Sequence, residues 1–123
     1  MTRSSGPAGK RILIVEDEPF VAVSLQDALN EFGFDVAACV GDVRGAIDVI
    51  GRERLDGALL DVRLGGERSD AVADLLALRD CPFFFTTGFD QADLPPAHAK
   101  RAVLRKPFGG AELARMLERV FGD

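Results

Sequence analysis

Arg11-Ile12-Leu13-Ile14-Val15-Glu16-Asp17-Glu18-Pro19 passes in one step from a run of apolar side chains to three acids and a proline. A short continuous apolar run closed by a turn signal reads as a strand buried on both faces. Pro19 suits a first helical turn, where its missing N–H has no intrahelical partner to lose. Strand, acidic turn and helix form one unit, and the pattern recurs along the chain. Strand-like runs at residues 11–15, 36–40, 57–60, 82–86 and 102–104 alternate with amphipathic stretches. That alternation implies an α/β fold with a doubly wound parallel sheet covered by helices on both faces.

The amphipathic stretches predict five helices. In the first, residues 19–32, Val21, Leu25, Ala28, Leu29 and Phe32 recur at three- and four-residue spacing and form one apolar face, and Gly33 ends it. The second, 43–52, takes Asp42 as its N-cap and turns Ala46, Ile47 and Ile50 inward. The third, 69–78, repeats the pattern with Val72, Leu75 and Leu76. Gly109-Gly110 leads into the fifth, 111–121, with Leu113, Met116, Leu117, Val120 and Phe121 for the core. The fourth, 91–100, is weak because Pro95-Pro96 removes donors and disfavours helix at the preceding residue. A short, late-starting or mobile helix is expected there.

A length of 123 residues, 47% of them hydrophobic, suits one folded domain, here residues 11–123, with no output domain. Residues 1–10, rich in Ser, Gly, Pro and basic side chains, read as a flexible leader. A balance of 15 basic to 20 acidic residues argues against nucleic acid as the main partner. The chain begins without an apolar signal segment, and no apolar run approaches the ~18 residues of a membrane span, so a cytoplasmic protein without membrane insertion is expected. Cys39 and Cys81 lack metal-ligand spacing and there is one histidine, which argues against a zinc site and favours free buried thiols.

In an open doubly wound sheet, ligands bind at the carboxyl ends of the strands. Four polar sites occupy such ends: Glu16-Asp17, Asp61 after Ala58-Leu59-Leu60, Thr87 after Phe83-Phe84-Phe85, and Lys106 after Ala102-Val103-Leu104. Crowded carboxylates are relieved by protonation or by a bound cation, and oxygen donors suit Mg²⁺ or Mn²⁺. Asp17 and Asp61 are the expected direct ligands, with Glu16 acting through water and the Arg63 carbonyl as a further ligand. A phosphoryl group arriving there could be attacked by a carboxylate to give an acyl phosphate. Asp61 is the candidate nucleophile because it stands singly at the middle strand's end, before Val62-Arg63-Leu64-Gly65-Gly66. Lys106 would neutralise phosphoryl charge and Thr87 would hydrogen-bond a phosphoryl oxygen. Each residue alone has a plainer reading: the acids before Pro19 favour a helix start, Asp61 caps a turn, Thr87-Gly88 is loop chemistry and Lys106 is a surface cation. Together those readings require four coincidences.

The chain resembles the receiver domain of two-component response regulators over about residues 10–121. The motifs are Ile12-Leu13-Ile14-Val15-Glu16-Asp17-Glu18-Pro19, Leu59-Leu60-Asp61-Val62, Phe85-Thr86-Thr87-Gly88 and Lys106-Pro107-Phe108, in order. The resemblance implies a flavodoxin-like five-stranded parallel sheet of order 2-1-3-4-5 with five helices. It also implies Mg²⁺-dependent phosphoryl transfer to Asp61 from a histidine kinase or histidine phosphotransfer protein, with Glu16 and Asp17 as the acidic metal site, Thr87 as switch hydroxyl and Lys106 as phosphate partner. The Lys106-Pro107 bond is often cis in such domains. Phe85-Thr86-Thr87-Gly88-Phe89 and Leu64-Gly65-Gly66-Glu67 are similar to a subgroup that carries a Phe-Ala-Thr-Gly-hydrophobic-Tyr motif. That subgroup often lacks an output domain and is often paired with HWE-type kinases in alphaproteobacteria. Thr86 and Asp90 depart from the motif.

A further departure is Val103, where many receivers place a Tyr or Phe that rotates inward on activation. Rearrangement of the proline-containing fourth helix is the expected substitute. Arg63 and Phe89 stand two residues after Asp61 and Thr87, beside the path of attacking water. His98 reads as a surface or hydrogen-bonded histidine, not a phosphorelay site. The leading expectation is a signalling receiver that docks on an unknown downstream protein or drains phosphoryl groups from a shared kinase, and that catalyses only its own phosphorylation and dephosphorylation. A constitutive interaction module of the same fold is the alternative. A haloacid-dehalogenase-like phosphohydrolase is disfavoured because Arg63 stands where such enzymes need an acid.

Overall fold

The computed structural model describes residues 9–88 and 94–122. Its main sheet contains β1 (Arg11–Val15), β2 (Asp35–Val40), β3 (Gly57–Asp61), β6 (Phe83–Thr87) and β7 (Val103–Arg105), all parallel, in the order β2-β1-β3-β6-β7. Counted along the main sheet alone, this is the expected order 2-1-3-4-5. The helices are α1 (Pro19–Glu31), α2 (Val43–Arg52), α3 (Asp70–Leu78) and α4 (Gly110–Phe121). The fold is flavodoxin-like and, among the described residues, has one chain element beyond expectation and one α-helix fewer.

The additional element is a small antiparallel hairpin, β4 (Arg63–Leu64) and β5 (Glu67–Arg68), turned by Gly65-Gly66. Gly65 has φ 63°, the left-handed conformation that a two-residue hairpin turn demands and that glycine adopts without a Cβ penalty. Strands of two residues carry no periodicity, so the sequence reads there as a loop. The missing α-helix is the fourth. Among the described residues its place is taken by a single 3₁₀ turn at Pro96–His98, preceded by Pro95 in an extended conformation (ψ 137°). Pro96 forces that conformation on Pro95, so no helix runs through Pro95. Residues 91–93 of the expected helix, and Phe89, lie outside the described residues.

The alternation of side chains across the pleat splits the core into two layers. Leu13, Val15, Ala58, Leu60, Phe83 and Phe85 face α2 and α3, whereas Ile12, Ile14, Leu59 and Phe84 face α1 and α4. Ile12 through Val15 are each 1% exposed or less, and full burial of such a side chain contributes roughly 1.5–3 kcal/mol. The close approach of α4 depends on Gly57: a Cβ there would lie 2.5 Å from Cε1 of Phe121.

Most helix faces follow the expected pattern, with two exceptions. Phe32, just beyond α1, and Ile47 in α2 are exposed, and Ala22 and Val49 are buried in their helices. Phe32 is carried away from the core by the turn at Gly33 (φ 95°), where the Phe34 N–H donates back to the Leu29 carbonyl at 2.9 Å. Asp42 caps α2 as expected, its Oδ1 accepting from the Gly45 N–H at 2.6 Å. Of the expected leader, Gly9 and Lys10 are described. The Gly9 N–H donates to the Gly33 carbonyl at 3.2 Å, and the Lys10 carbonyl accepts from Asp35 N–H at 2.8 Å.

Candidate functional site

The site is built at the carboxyl ends of β1, β3, β6 and β7. Parallel pairing sets Val15 beside Leu60 and Asp61 beside Thr86, so Glu16, Asp17 and Asp61 are delivered to one edge by register alone. Carboxylate oxygens of these three residues all lie within 4.8 Å of one another. Glu16 and Asp61 are buried and Asp17 is exposed. Lys106, after β7, reaches across the edge: Nζ is 2.9 Å from Asp61 Oδ2, 2.9 Å from Glu16 Oε1 and 3.1 Å from Glu16 Oε2. The contacts to Asp61 Oδ2 and Glu16 Oε2 have hydrogen-bond geometry and that to Glu16 Oε1 does not, which leaves the buried Oε1 without a hydrogen bond among the described residues.

Backbone groups hold the frame. The Glu16 N–H donates to Val40 O at 2.9 Å, Val62 N–H to Thr86 O at 3.1 Å, and Lys106 N–H to Thr87 O at 2.8 Å. The Lys106-Pro107 peptide is cis, as expected. Thr87 is buried at the end of β6, on the same edge as Asp61. Arg63 begins the hairpin, and its N–H donates to Asp61 Oδ1 at 3.2 Å.

Electrostatics at the site point one way. Burial pushes the Glu16 carboxyl above its ordinary 4.5, and the bonds from Lys106 and the Glu18 N–H do not cancel that cost. Burial also pulls the Lys106 ammonium down, but hydrogen bonds and charges from Asp61 and Glu16 outweigh it, and the net shift is upward from 10.5. Both groups therefore favour their protonated forms. Three carboxylates facing one ammonium carry excess negative charge, and an added cation is the other way to relieve it. The donor set, oxygens without sulfur or imidazole, fits a hard divalent ion such as Mg²⁺.

Two contacts have no signal in the sequence. The Gly65 N–H, at the hairpin tip, donates to Asp17 Oδ2 at 2.8 Å. The Ser69 hydroxyl lies 2.6 Å from Asp61 O and 3.0 Å from Val62 O, although a serine before a helix ordinarily reads as a cap. His98, the other candidate set aside on sequence, is buried and not at the surface: Nε2 lies 2.8 Å from Asp74 Oδ1, and its ring meets those of Phe83 and Phe85 edge-on. Cys39 and Cys81 are free thiols, half-buried instead of fully buried.

Residues 12–118 match the response regulator receiver domain. The chain belongs to the response regulator receiver domain family. It is 27% identical over 121 residues to the transcriptional regulatory protein PdtaR of Mycobacterium tuberculosis, covering 95% of this chain and 59% of PdtaR. The receiver therefore spans about three fifths of the length of that curated relative. Among solved structures it is 41% identical to SdrG from Sphingomonas melonis Fr1, with a TM-score of 0.80 over 89% of this chain and 93% of SdrG. It is 29% identical, with a TM-score of 0.80, to the receiver domain of the sensor histidine kinase PA1611 from Pseudomonas aeruginosa PAO1, over 94% of this chain and 100% of that one. The PA1611 receiver holds a magnesium ion in its active-site cleft. Among the described residues of the present receiver, no helix is long and apolar enough to cross a membrane.

Proposed function

We propose that this receiver accepts a phosphoryl group on Asp61 from the phosphohistidine of a histidine kinase, of HWE type, or of a histidine phosphotransfer protein. The observation that carries this reading is the Asp61 carboxylate lying within the Glu16–Asp17 cluster with Lys106 Nζ 2.9 Å from Oδ2. A carboxylate oxygen of Asp61 attacks phosphorus, the bond from phosphorus to the donor nitrogen breaks, and that nitrogen keeps the bonding electron pair, so a neutral imidazole leaves when its other ring nitrogen carries the proton. The product is an acyl phosphate. Lys106 already contacts the acceptor and would follow the charge onto the phosphoryl oxygens, and Thr87 supplies a hydroxyl from the adjacent strand end.

Glu16, Asp17, Asp61 and the Arg63 carbonyl would hold Mg²⁺, with Mn²⁺ as an alternative. When bound, the ion neutralises charge on donor and acceptor oxygens. Beside Lys106, the side chains of Phe20, Val21, Ser24, Pro107 and Phe108 line an open groove of about 470 Å³, and Phe20 is 88% exposed. A phosphodonor protein seated on that apolar surface would present its histidine to Asp61. The protein acts in the cytoplasm, through contacts with a downstream protein or as a sink for phosphoryl groups, and its only chemistry is its own modification and release.

Incubation with Mg²⁺ and phosphoramidate or acetyl phosphate adds one hydroxylamine-sensitive phosphoryl group, read by intact mass, and Asp61→Ala abolishes it. No modification of the unaltered protein under those conditions would favour a constitutive interaction module of the same fold.

A further inference from the structure

Ser69 is fully buried at the start of α3, yet its side chain makes no capping bond to that helix. A helix N-cap serine normally accepts from an amide of the first turn and is worth about 1 kcal/mol in that role. Here the hydroxyl is turned back onto the end of β3, 2.6 Å from the Asp61 carbonyl and 3.0 Å from the Val62 carbonyl. The Ser69 N–H donates to the same Val62 carbonyl at 3.0 Å. A hydroxyl has one proton, so it serves the two carbonyls in a shared bond, and the backbone N–H secures the second.

The Val62 carbonyl belongs to the planar peptide unit whose other end is the Arg63 N–H. That N–H donates to Asp61 Oδ1 at 3.2 Å. Fixing the carbonyl end of a rigid plane fixes the direction of its amide end. A continuous path thus runs from Ser69 through the Val62–Arg63 peptide to one oxygen of the Asp61 carboxylate, while the other oxygen meets Lys106 at 2.9 Å. The carboxylate is held at both oxygens, and one of the two holds originates at Ser69.

We propose that Ser69 is a positioning residue for Asp61: through the Val62–Arg63 peptide it sets the rotation of the carboxylate, and with it the approach to an incoming phosphorus. This assignment deepens the phosphoacceptor reading and rests on it. Reaction rates depend steeply on such alignment, since displacement of a reacting group by about 1 Å costs on the order of a hundredfold. Without the hydroxyl the Val62 carbonyl keeps only the Ser69 N–H, a weakened hold that should misalign the carboxylate by less than that.

The test compares the unaltered protein with Ser69→Ala, Ser69→Thr and Ser69→Cys, at a temperature where circular dichroism shows each folded. With saturating Mg²⁺ and phosphoramidate, Ser69→Ala should lower the maximal rate of modification about tenfold while the half-saturating phosphoramidate concentration stays unchanged. Ser69→Thr, which keeps the hydroxyl, should restore most of the rate. Ser69→Cys fills the same space with a weak donor and should behave like the alanine variant, so it decides the matter if alanine fails to fold.

A second readout is independent of phosphorylation. Amide exchange at Arg63 should quicken in Ser69→Ala and Ser69→Cys relative to the amides of Ile14 and Leu59, which report the sheet as a whole. Equal exchange at Arg63 in folded variants would overturn the assignment even if the unaltered protein took no phosphoryl group. A folded Ser69→Ala or Ser69→Cys variant modified at the unaltered rate would overturn it while leaving Asp61 as the acceptor.

Discussion

Replacing Lys106 by Met removes, among the described residues, the ammonium that faces Glu16 and Asp61 while keeping most of its apolar stem. The side chains of Glu16 and Asp61 are 1% and 9% exposed and that of Lys106 is 19% exposed, so this is a largely buried ion cluster. Removing one partner of a buried pair costs roughly 3–5 kcal/mol because the other charge is left without compensation, whereas an exposed pair is worth about 0–1 kcal/mol. The partial exposure of Lys106 places the expected loss near the lower end, about 3 kcal/mol, out of a total stability of roughly 5–15 kcal/mol.

The loss also has a pH signature. The Glu16 carboxyl is raised above 4.5 in the folded protein, first by burial, and Lys106 works against that rise. A raised folded value means that the folded state holds its proton longer than the unfolded chain does. The associated stability is complete below the unfolded value and is lost as pH climbs through the folded one. Without Lys106 the folded value climbs further, so the deficit of Lys106→Met should be small at pH 4.5 and grow toward pH 7. The chain has no Trp or Tyr, so urea unfolding in EDTA followed by far-ultraviolet circular dichroism is the suitable assay. A deficit below about 1 kcal/mol at pH 7, or one independent of pH, would refute the buried-cluster reasoning.

Gly57→Ala should cost about 1–3 kcal/mol in the same assay, because the added Cβ meets the Phe121 ring at 2.5 and 2.8 Å and the ring is packed between β3 and Phe34. The Cys81 thiol is pushed up to about 11, first by burial and then by Asp56, so at pH 8 its thiolate fraction is about a hundredfold below that of a thiol at 9.0. Alkylation by iodoacetamide at pH 8 should be slower by that factor in the folded protein than in urea, and equal rates would contradict it. Asp74→Ala leaves the buried His98 ring without its 2.8 Å partner, a change worth about 1–3 kcal/mol, and should speed amide exchange at Ala99 and Arg101. Exchange in the turn at Pro96–His98 and its flanks should also change on beryllofluoride addition, since Val103 offers no aromatic ring to carry the signal.

Much of the fold was legible because parallel strands buried on both faces are written as unbroken apolar runs. Ile12-Leu13-Ile14-Val15 and Phe83-Phe84-Phe85 need no partner to be recognised. The weak fourth helix was legible for a local reason, since Pro95-Pro96 restricts its own backbone. The hairpin at Arg63–Leu64 and Glu67–Arg68 was not, because two-residue strands are stabilised by pairing across Gly65-Gly66 and by the Gly65 N–H on Asp17, neither of which leaves a periodic mark. The exposure of Ile47 escaped for a related reason: helical spacing defines a face only to within one residue, and packing against the sheet chose Val49 instead.

By itself the sequence determined which chemical groups end the strands: Glu16, Asp17, Asp61, Thr87 and Lys106 follow apolar runs, and side-chain identity is a local fact. The tertiary structure decided their relations. Sheet register brought residues 45 positions apart to 2.9 Å, burial set Glu16 and Lys106 against each other, and the return of the chain after the hairpin put Ser69 behind Asp61. Those relations depend on distances between backbone segments remote in sequence, which arise only when the sheet assembles.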